Sequence, residues 1–93
     1  MTDYDYGWDE SGRLTRIYWN YDNLSGAISF AGLDALTYLD CSENQLTELD
    51  VSKNTALTAL SCSDNQLTEL DVTNCELEEY DCDPQVNVIG YKY

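Results

Sequence analysis

An internal repeat constrains this chain more than any other feature of its sequence. Residues 36–56 read LTYLDCSENQLTELDVSKNTA and residues 57–76 read LTALSCSDNQLTELDVTNCE, so copies of 21 and 20 residues follow each other directly. A third copy begins as LEEYDCDPQ at Leu77 and then diverges, while residues 14–35 fit the same template. A repeat this short is one coil, which buries its apolar side chains only by stacking on its neighbours. The sequence therefore predicts a solenoid of about three and a half coils.

The first half of each repeat predicts a β-strand. Apolar and polar residues alternate from Tyr38, so that Leu39 and Cys41 face the interior while Tyr38, Asp40 and Ser42 face solvent. Strands of successive coils stack about 4.8 Å apart into a parallel sheet on one face, with little or no helix elsewhere. The predicted strands are Arg16–Asn20, Tyr38–Ser42, Ala59–Ser63 and Glu79–Asp83, and the half-repeats Glu48–Val51 and Glu69–Val72 form the opposite wall.

Asparagine recurs where the coil has to turn. Asn44 and Asn65 follow the strand halves, and Asn54 and Asn74 end the second half-repeats. We expect all four side chains to point inward and to bond backbone groups that the curved chain cannot pair with itself. Leaving such a buried group without a partner costs about 1–3 kcal/mol.

The spacing L-x-x-L-x-C-x-x-N-x-L resembles the leucine-rich-repeat family, and the resemblance covers residues 14–85. Asp22 and Gln85 depart from it at the asparagine position of the first and last coils. The second pattern, L-T-x-L-D-V, is similar to a short-repeat class found in bacterial surface and secreted proteins. The resemblance implies a right-handed, β-rich solenoid of the α/β horseshoe class, a role in binding proteins, and an extracellular or cell-surface location.

The ends of a solenoid need protection, because they expose the core. We expect a single domain over residues 1–93 with a capping hairpin at 1–13, in which Tyr4, Tyr6 and Trp8 precede a turn. The complete coils span residues 14–35, 36–56 and 57–76. Residues 77–93 form a partial coil and a second cap, with Val86, Val88, Ile89 and Tyr91 folding over the last coil. The opening residues lack the basic and apolar regions of a signal peptide.

Charge restricts the possible partners. Eighteen acidic residues against four basic ones give a net charge of −14, which disfavours nucleic acid and anionic membranes. No apolar stretch predicts membrane insertion. A basic protein or a neutral glycan fits this charge, and we expect a monomer. Because histidine is absent and a narrow solenoid has no deep pocket, we expect neither catalysis nor a cofactor.

The cysteines and stacked carboxylates have alternative interpretations. Cys41, Cys62 and Cys82 lie one repeat apart, which predicts a column of buried thiols, with a disulfide or a metal site as alternatives. We expect Cys75, at a corner, to be the most reactive thiol. Asp50 and Asp71 occupy equivalent outward positions in successive repeats. This stacking predicts a solvated acidic wall, with a calcium site as the alternative.

The outward face of the strands is the candidate binding surface. Tyr18 and Tyr38 lie beside Arg16, and these residue types are enriched at protein interfaces. The alternatives are that the aromatic residues only stabilise the sheet, that the domain is a structural spacer, or that the face binds a glycan. The predicted site residues are Arg16, Tyr18, Asn20, Tyr38, Asp40, Ser42, Ser61, Ser63, Glu79, Asp81 and Asp83.

Overall fold

The computed structural model describes residues 6–91, which form nine β-strands and no helix. Tyr4 of the expected hairpin lies outside these residues. Within the same range, no helix is long and apolar enough to cross a membrane. In chain order the strands are β1 Tyr6–Trp8, β2 Leu14–Tyr18, β3 Ser25–Ser29, β4 Tyr38–Asp40, β5 Gln45–Asp50, β6 Ala59–Ser61, β7 Glu69–Asp71, β8 Glu79–Asp81 and β9 Asn87–Ile89.

The first wall is one five-stranded sheet in the order β1-β2-β4-β6-β8. β1 runs antiparallel to β2, and every other neighbouring pair is parallel, with one strand from each coil. The predicted parallel sheet is thus confirmed. β2, β4, β6 and β8 each end two residues earlier than predicted. After β4 and β6 the chain turns into its corner at Glu43 and Asp64, both with φ of 57°. β2 begins two residues earlier, because Leu14 pairs with β1.

The second wall is divided into two sheets, β3-β5 and β7-β9, each of two parallel strands. The expected extended segments at residues 48–51 and 69–72 correspond to β5 and β7. Of the residues expected to cover the last coil, Val86 is buried in the core and Val88 and Tyr91 pack against it, whereas Ile89 is exposed. Residues 87–89 form an additional strand. They continue the wall as β9, where the Ile89 carbonyl accepts a 2.8 Å hydrogen bond from the Val72 amide. The solenoid therefore has four coils, each with a strand in both walls.

The core repeats with the sequence. Leu39, Cys41 and Leu46 of the second coil are fully buried, and so are their counterparts one coil later. The residues between them are more exposed, which confirms the predicted alternation. The matching buried sets are Leu36, Leu39, Cys41, Leu46, Leu49 and Val51, and then Leu57, Leu60, Cys62, Leu67, Leu70 and Val72.

Buried asparagines hold the corner that follows the first wall. The Asn65 side-chain amide donates to the carbonyls of Cys41, Cys62 and Ser63 at 2.9–3.3 Å, and its oxygen accepts from the Leu46 amide at 2.9 Å. Asn44 makes the equivalent contacts one coil earlier. These side chains satisfy backbone groups of two successive coils, which confirms the prediction for both.

At the opposite corner the prediction holds for Asn54 and only in part for Asn74, whose side-chain amide donates to the Ser52 carbonyl at 3.1 Å but does not point inward. Asn54 is fully buried and donates to the carbonyls of Phe30 and Leu33. Asn74 is exposed, because one residue fewer separates it from its preceding valine. Cys75 takes the inward position instead, and its thiol donates to the Val51 and Asn54 carbonyls at 3.5 and 3.4 Å.

Candidate recognition surface

The register of the first wall arranges its outward side chains in two rows. Ile17, Leu39 and Leu60 point inward, so the residues on either side of each point to solvent. Because the strands are parallel and in register, equivalent positions form straight lines across the sheet. The first row is Arg16, Tyr38, Ala59 and Glu79, and the second row is Tyr18, Asp40, Ser61 and Asp81.

An aromatic pair and an arginine occupy the amino-terminal end of these rows. The rings of Tyr18 and Tyr38 pack diagonally with centroids 5.1 Å apart and planes at 37°. Arg16 extends over Gly7 of β1, where a Cβ atom would collide with the arginine side chain. The missing side chain at position 7 therefore leaves room for Arg16 on this face.

A shallow depression of about 260 Å³ lies beside the aromatic pair. Its floor is at Ala59, whose small side chain stands between Tyr38 and Glu79 in the first row, and Asp81 lines its far side. Burial raises the pKa of Tyr38, and the nearby Asp40 carboxylate contributes in the same direction. Tyr38 therefore keeps its hydroxyl proton at neutral pH. The depression thus has an aromatic wall on one side and carboxylates on the other.

The other four predicted site residues do not belong to the two rows. Asn20, Ser42, Ser63 and Asp83 follow the strands and lie in the corner. The Ser42 hydroxyl donates to the Asp40 carboxylate at 2.6 Å. The Asp83 carboxylate accepts hydrogen bonds from the backbone amides of Asp64 and Asn65. It therefore bonds the corner backbone in the coil where Gln85 stands in place of the asparagine. At least Ser42 and Asp83 therefore have structural partners.

The second wall has a different surface. A wider depression of about 680 Å³ crosses it between β5 and β7, and acidic side chains line it. Asp50 and Asp71 are fully exposed, and each accepts a hydrogen bond from the amide two residues later, at Ser52 and Thr73. Within residues 6–91 no group of three or more histidine, cysteine or acidic side chains is arranged to hold a metal ion. Through these amide hydrogen bonds, Asp50 and Asp71 each stabilise the turn that follows their strand.

All four cysteines lie among the described residues and are thiols. Cys75 is buried, so its position does not support the expectation that it is the most reactive. Cys82 is the most exposed of the four, because it lies in the last coil. Burial raises the pKa of the Cys41 thiol to about 12, which keeps that thiol protonated.

Two features of the surface were not predicted from the sequence: the close approach of Arg16 to Gly7 and the depression at Ala59. The first could have been predicted from Gly7, since glycine within a strand often marks the close approach of another group. Ala59 carried no such signal, because a small residue becomes the floor of a depression only when larger neighbours flank it in the register.

Comparison with known families identifies one repeat directly. Residues 35–55, which cover most of the second coil, match the family model described as Leucine Rich Repeat. No curated protein and no solved structure matches the chain. For this coil the match confirms the resemblance to a leucine-rich repeat that was drawn from the repeat spacing, and a repeat of this family suggests a module for protein–protein interaction.

Proposed function

We propose that this leucine-rich-repeat solenoid is a protein-recognition module that binds its partner through the outward face of the first wall. The observation that carries the proposal is the pairing of Tyr18 with Tyr38 beside a depression whose other side is acidic. Aromatic side chains supply much of the binding energy at protein interfaces, and a rigid sheet presents them at little entropic cost.

The chemistry of the depression favours a basic partner. A lysine or arginine side chain seated over Ala59 would contact the Tyr38 ring on one side and the carboxylates of Glu79 and Asp81 on the other. Such a cation gains both a cation–π contact and charge-assisted hydrogen bonds. The net charge of −14 would also accelerate the approach of a basic protein.

We place the module in a bacterial surface or secreted protein. The support is the double pattern of each repeat, L-x-x-L-x-C followed by L-T-x-L-D-V, which resembles the short-repeat class of such proteins. A secretion assay of the gene product in its native cell, with a cytosolic marker as control, tests this location. Retention of all the protein in the cytosol would contradict it.

Selection of a displayed random peptide library on the immobilised chain tests the binding face. We expect enriched peptides to contain lysine or arginine and to bind more weakly as salt rises. In fluorescence anisotropy, Tyr38→Ala should weaken binding roughly tenfold, the equivalent of about 1.4 kcal/mol.

A charge-matched pair of variants serves as the control. Glu79→Gln with Asp81→Asn removes two charges from the first wall, and Glu48→Gln with Glu69→Gln removes two from the second. The first double variant should weaken binding and the second should not. Equal loss in both would mean that general acidity attracts the peptide, and the proposed face would be wrong.

Two other outcomes would replace the proposal. Failure to enrich any peptide would favour a structural spacer. Binding to a glycan array that is insensitive to salt and lost in Tyr18→Ala would favour glycan adhesion through the aromatic pair.

A further inference from the structure

Two cysteines of neighbouring coils are in direct contact. Cys62 follows β6 and Cys82 follows β8, and these strands are adjacent and parallel in the first wall. Their Sγ atoms lie 2.8 Å apart. Cys41, one coil earlier, donates its thiol to the Ser61 carbonyl at 3.6 Å. The column of thiols predicted from the repeat therefore contains one close sulfur pair at its carboxyl-terminal end.

The two thiols of this pair differ in access and acidity. Cys62 is fully buried, whereas Cys82 is partly exposed at the end of the solenoid. The hydrogen bond from the Cys62 thiol lowers the pKa of Cys82, although burial and the nearby Asp81 and Asp83 act in the opposite direction. The same hydrogen bond and burial raise the pKa of Cys62. A reagent from solvent therefore meets Cys82 first, and Cys82 is the better thiolate.

We propose that Cys62 and Cys82 form an oxidation site, at which a small-molecule disulfide converts the two thiols into an intramolecular disulfide. The bond joins the last coil to the third. It lies at the carboxyl ends of β6 and β8, directly after Ser61 and Asp81 of the second row. This role is independent of partner binding.

The reaction balances without any further reagent. The Cys82 thiolate attacks one sulfur of the small disulfide, forming a mixed disulfide and expelling one thiolate. The Cys62 thiol gives its proton to this first small thiolate, and the Cys62 thiolate then attacks the Cys82 sulfur and expels the second small thiolate. That thiolate takes up from solvent the proton that Cys82 released when it ionised. The two protein thiols are oxidised, and one small disulfide is reduced to two thiols.

The bond should stabilise the end of the solenoid. The last coil is the least covered, since Tyr80 replaces the buried Leu60 of the previous coil and is 37% exposed. Closing the loop between residues 62 and 82 removes conformational freedom from the unfolded chain. For a domain of this size we expect the Tm to rise by roughly 10 °C or more.

Oxidised glutathione is a suitable probe. The full chain is incubated with oxidised glutathione, and the remaining thiols are alkylated. The protein is then cleaved after glutamate. Cleavage at Glu69, Glu76 and Glu79 places Cys62, Cys75 and Cys82 on separate peptides. We expect a linked peptide pair containing Cys62 and Cys82 in monomeric protein. The Tm should rise with the linkage and return to its starting value after reduction.

Two variants check the assignment. Cys41→Ala should still form the linkage, whereas Cys82→Ser should form none and show no rise in Tm. Linkage of Cys41 to Cys62, linkage through Cys75, disulfide-bonded dimers only, or persistence of all four thiols in folded wild-type protein would each overturn the proposal.

Discussion

The two walls of the solenoid cover the same core but differ in what they present to solvent. On the second wall the outward residues are the same in the second and third coils, with Thr47, Glu48 and Asp50 matched by Thr68, Glu69 and Asp71. On the first wall they change between the same two coils, from Tyr38 and Asp40 to Ala59 and Ser61.

This difference separates residues that build the coil from residues that are available for binding. The buried side chains are nearly identical in the second and third coils, so packing does not require the first wall to vary. On the second wall, the Asp50 and Asp71 carboxylates accept hydrogen bonds from the amides of Ser52 and Thr73, and this role in the turns accounts for their repetition. Between the second and third coils, the variation of outward strand residues is therefore confined to the first wall, whereas the first and last coils also differ on the second wall, with Ala27 and Asn87 at the position of Glu48 and Glu69.

Removing the corner that supports the first wall should have the largest effect. Asn65→Ala leaves the Cys62 carbonyl and the Leu46 amide without this partner and removes one of the two asparagine donors of the Cys41 carbonyl, so we expect a loss of about 3 kcal/mol or more in the free energy of unfolding. Urea denaturation measures it. Asn74→Ala is the matched control and should lose no more than about 1 kcal/mol, since its exposed side chain donates a hydrogen bond only to the Ser52 carbonyl among the contacts of the described residues. Equal losses would contradict the assignment of the two corners.

The corner that follows the second wall should be less sensitive. Asn54→Ala removes one donor from each of the Phe30 and Leu33 carbonyls, which keep their bonds from the Leu33 and Leu36 amides, and we expect a loss of about 2 kcal/mol in the free energy of unfolding. The Asn54 side-chain oxygen has no partner among the described residues, so its removal offsets part of the cost. Asn54→Cys should lose less stability than Asn54→Ala, because the Cys75 thiol donates to backbone carbonyls from the equivalent inward position one coil later. Thermal denaturation of both variants distinguishes them, and an equal loss would count against that equivalence.

Most of the first wall was predictable, because alternation in Tyr38–Ser42 and the recurring asparagines each have one physical explanation. The second corner was not, since Asn54 and Asn74 end similar half-repeats and differ by one residue in spacing. β9 also escaped prediction, because Asn87–Ile89 lacks the leucines of the other half-repeats. The depression at Ala59 depends on which side chains the register makes neighbours, and that cannot be read from a single coil.

The smallest effect concerns the turns of the second wall. Hydrogen bonds from the Thr73 hydroxyl and amide lower the pKa of Asp71. Thr73→Val removes the hydroxyl, so the Asp71 pKa should move back toward its ordinary value in an NMR titration. Because the folded pKa is the lower one, the stability from this carboxylate is present above the unfolded pKa and is lost as pH falls through the folded one. An unchanged Asp71 pKa in the variant would show that the Thr73 hydroxyl is not what lowers it.

The most direct test of the recognition surface is a backbone amide NMR map of the chain with a selected basic peptide. If the peptide binds the first wall, shift changes occur at Arg16–Tyr18, Tyr38–Asp40, Ala59–Ser61 and Glu79–Asp81, and residues 47–50 and 68–71 are unchanged. Changes centred on residues 47–50 and 68–71, or spread evenly over both walls, would contradict the assignment of binding to the first wall.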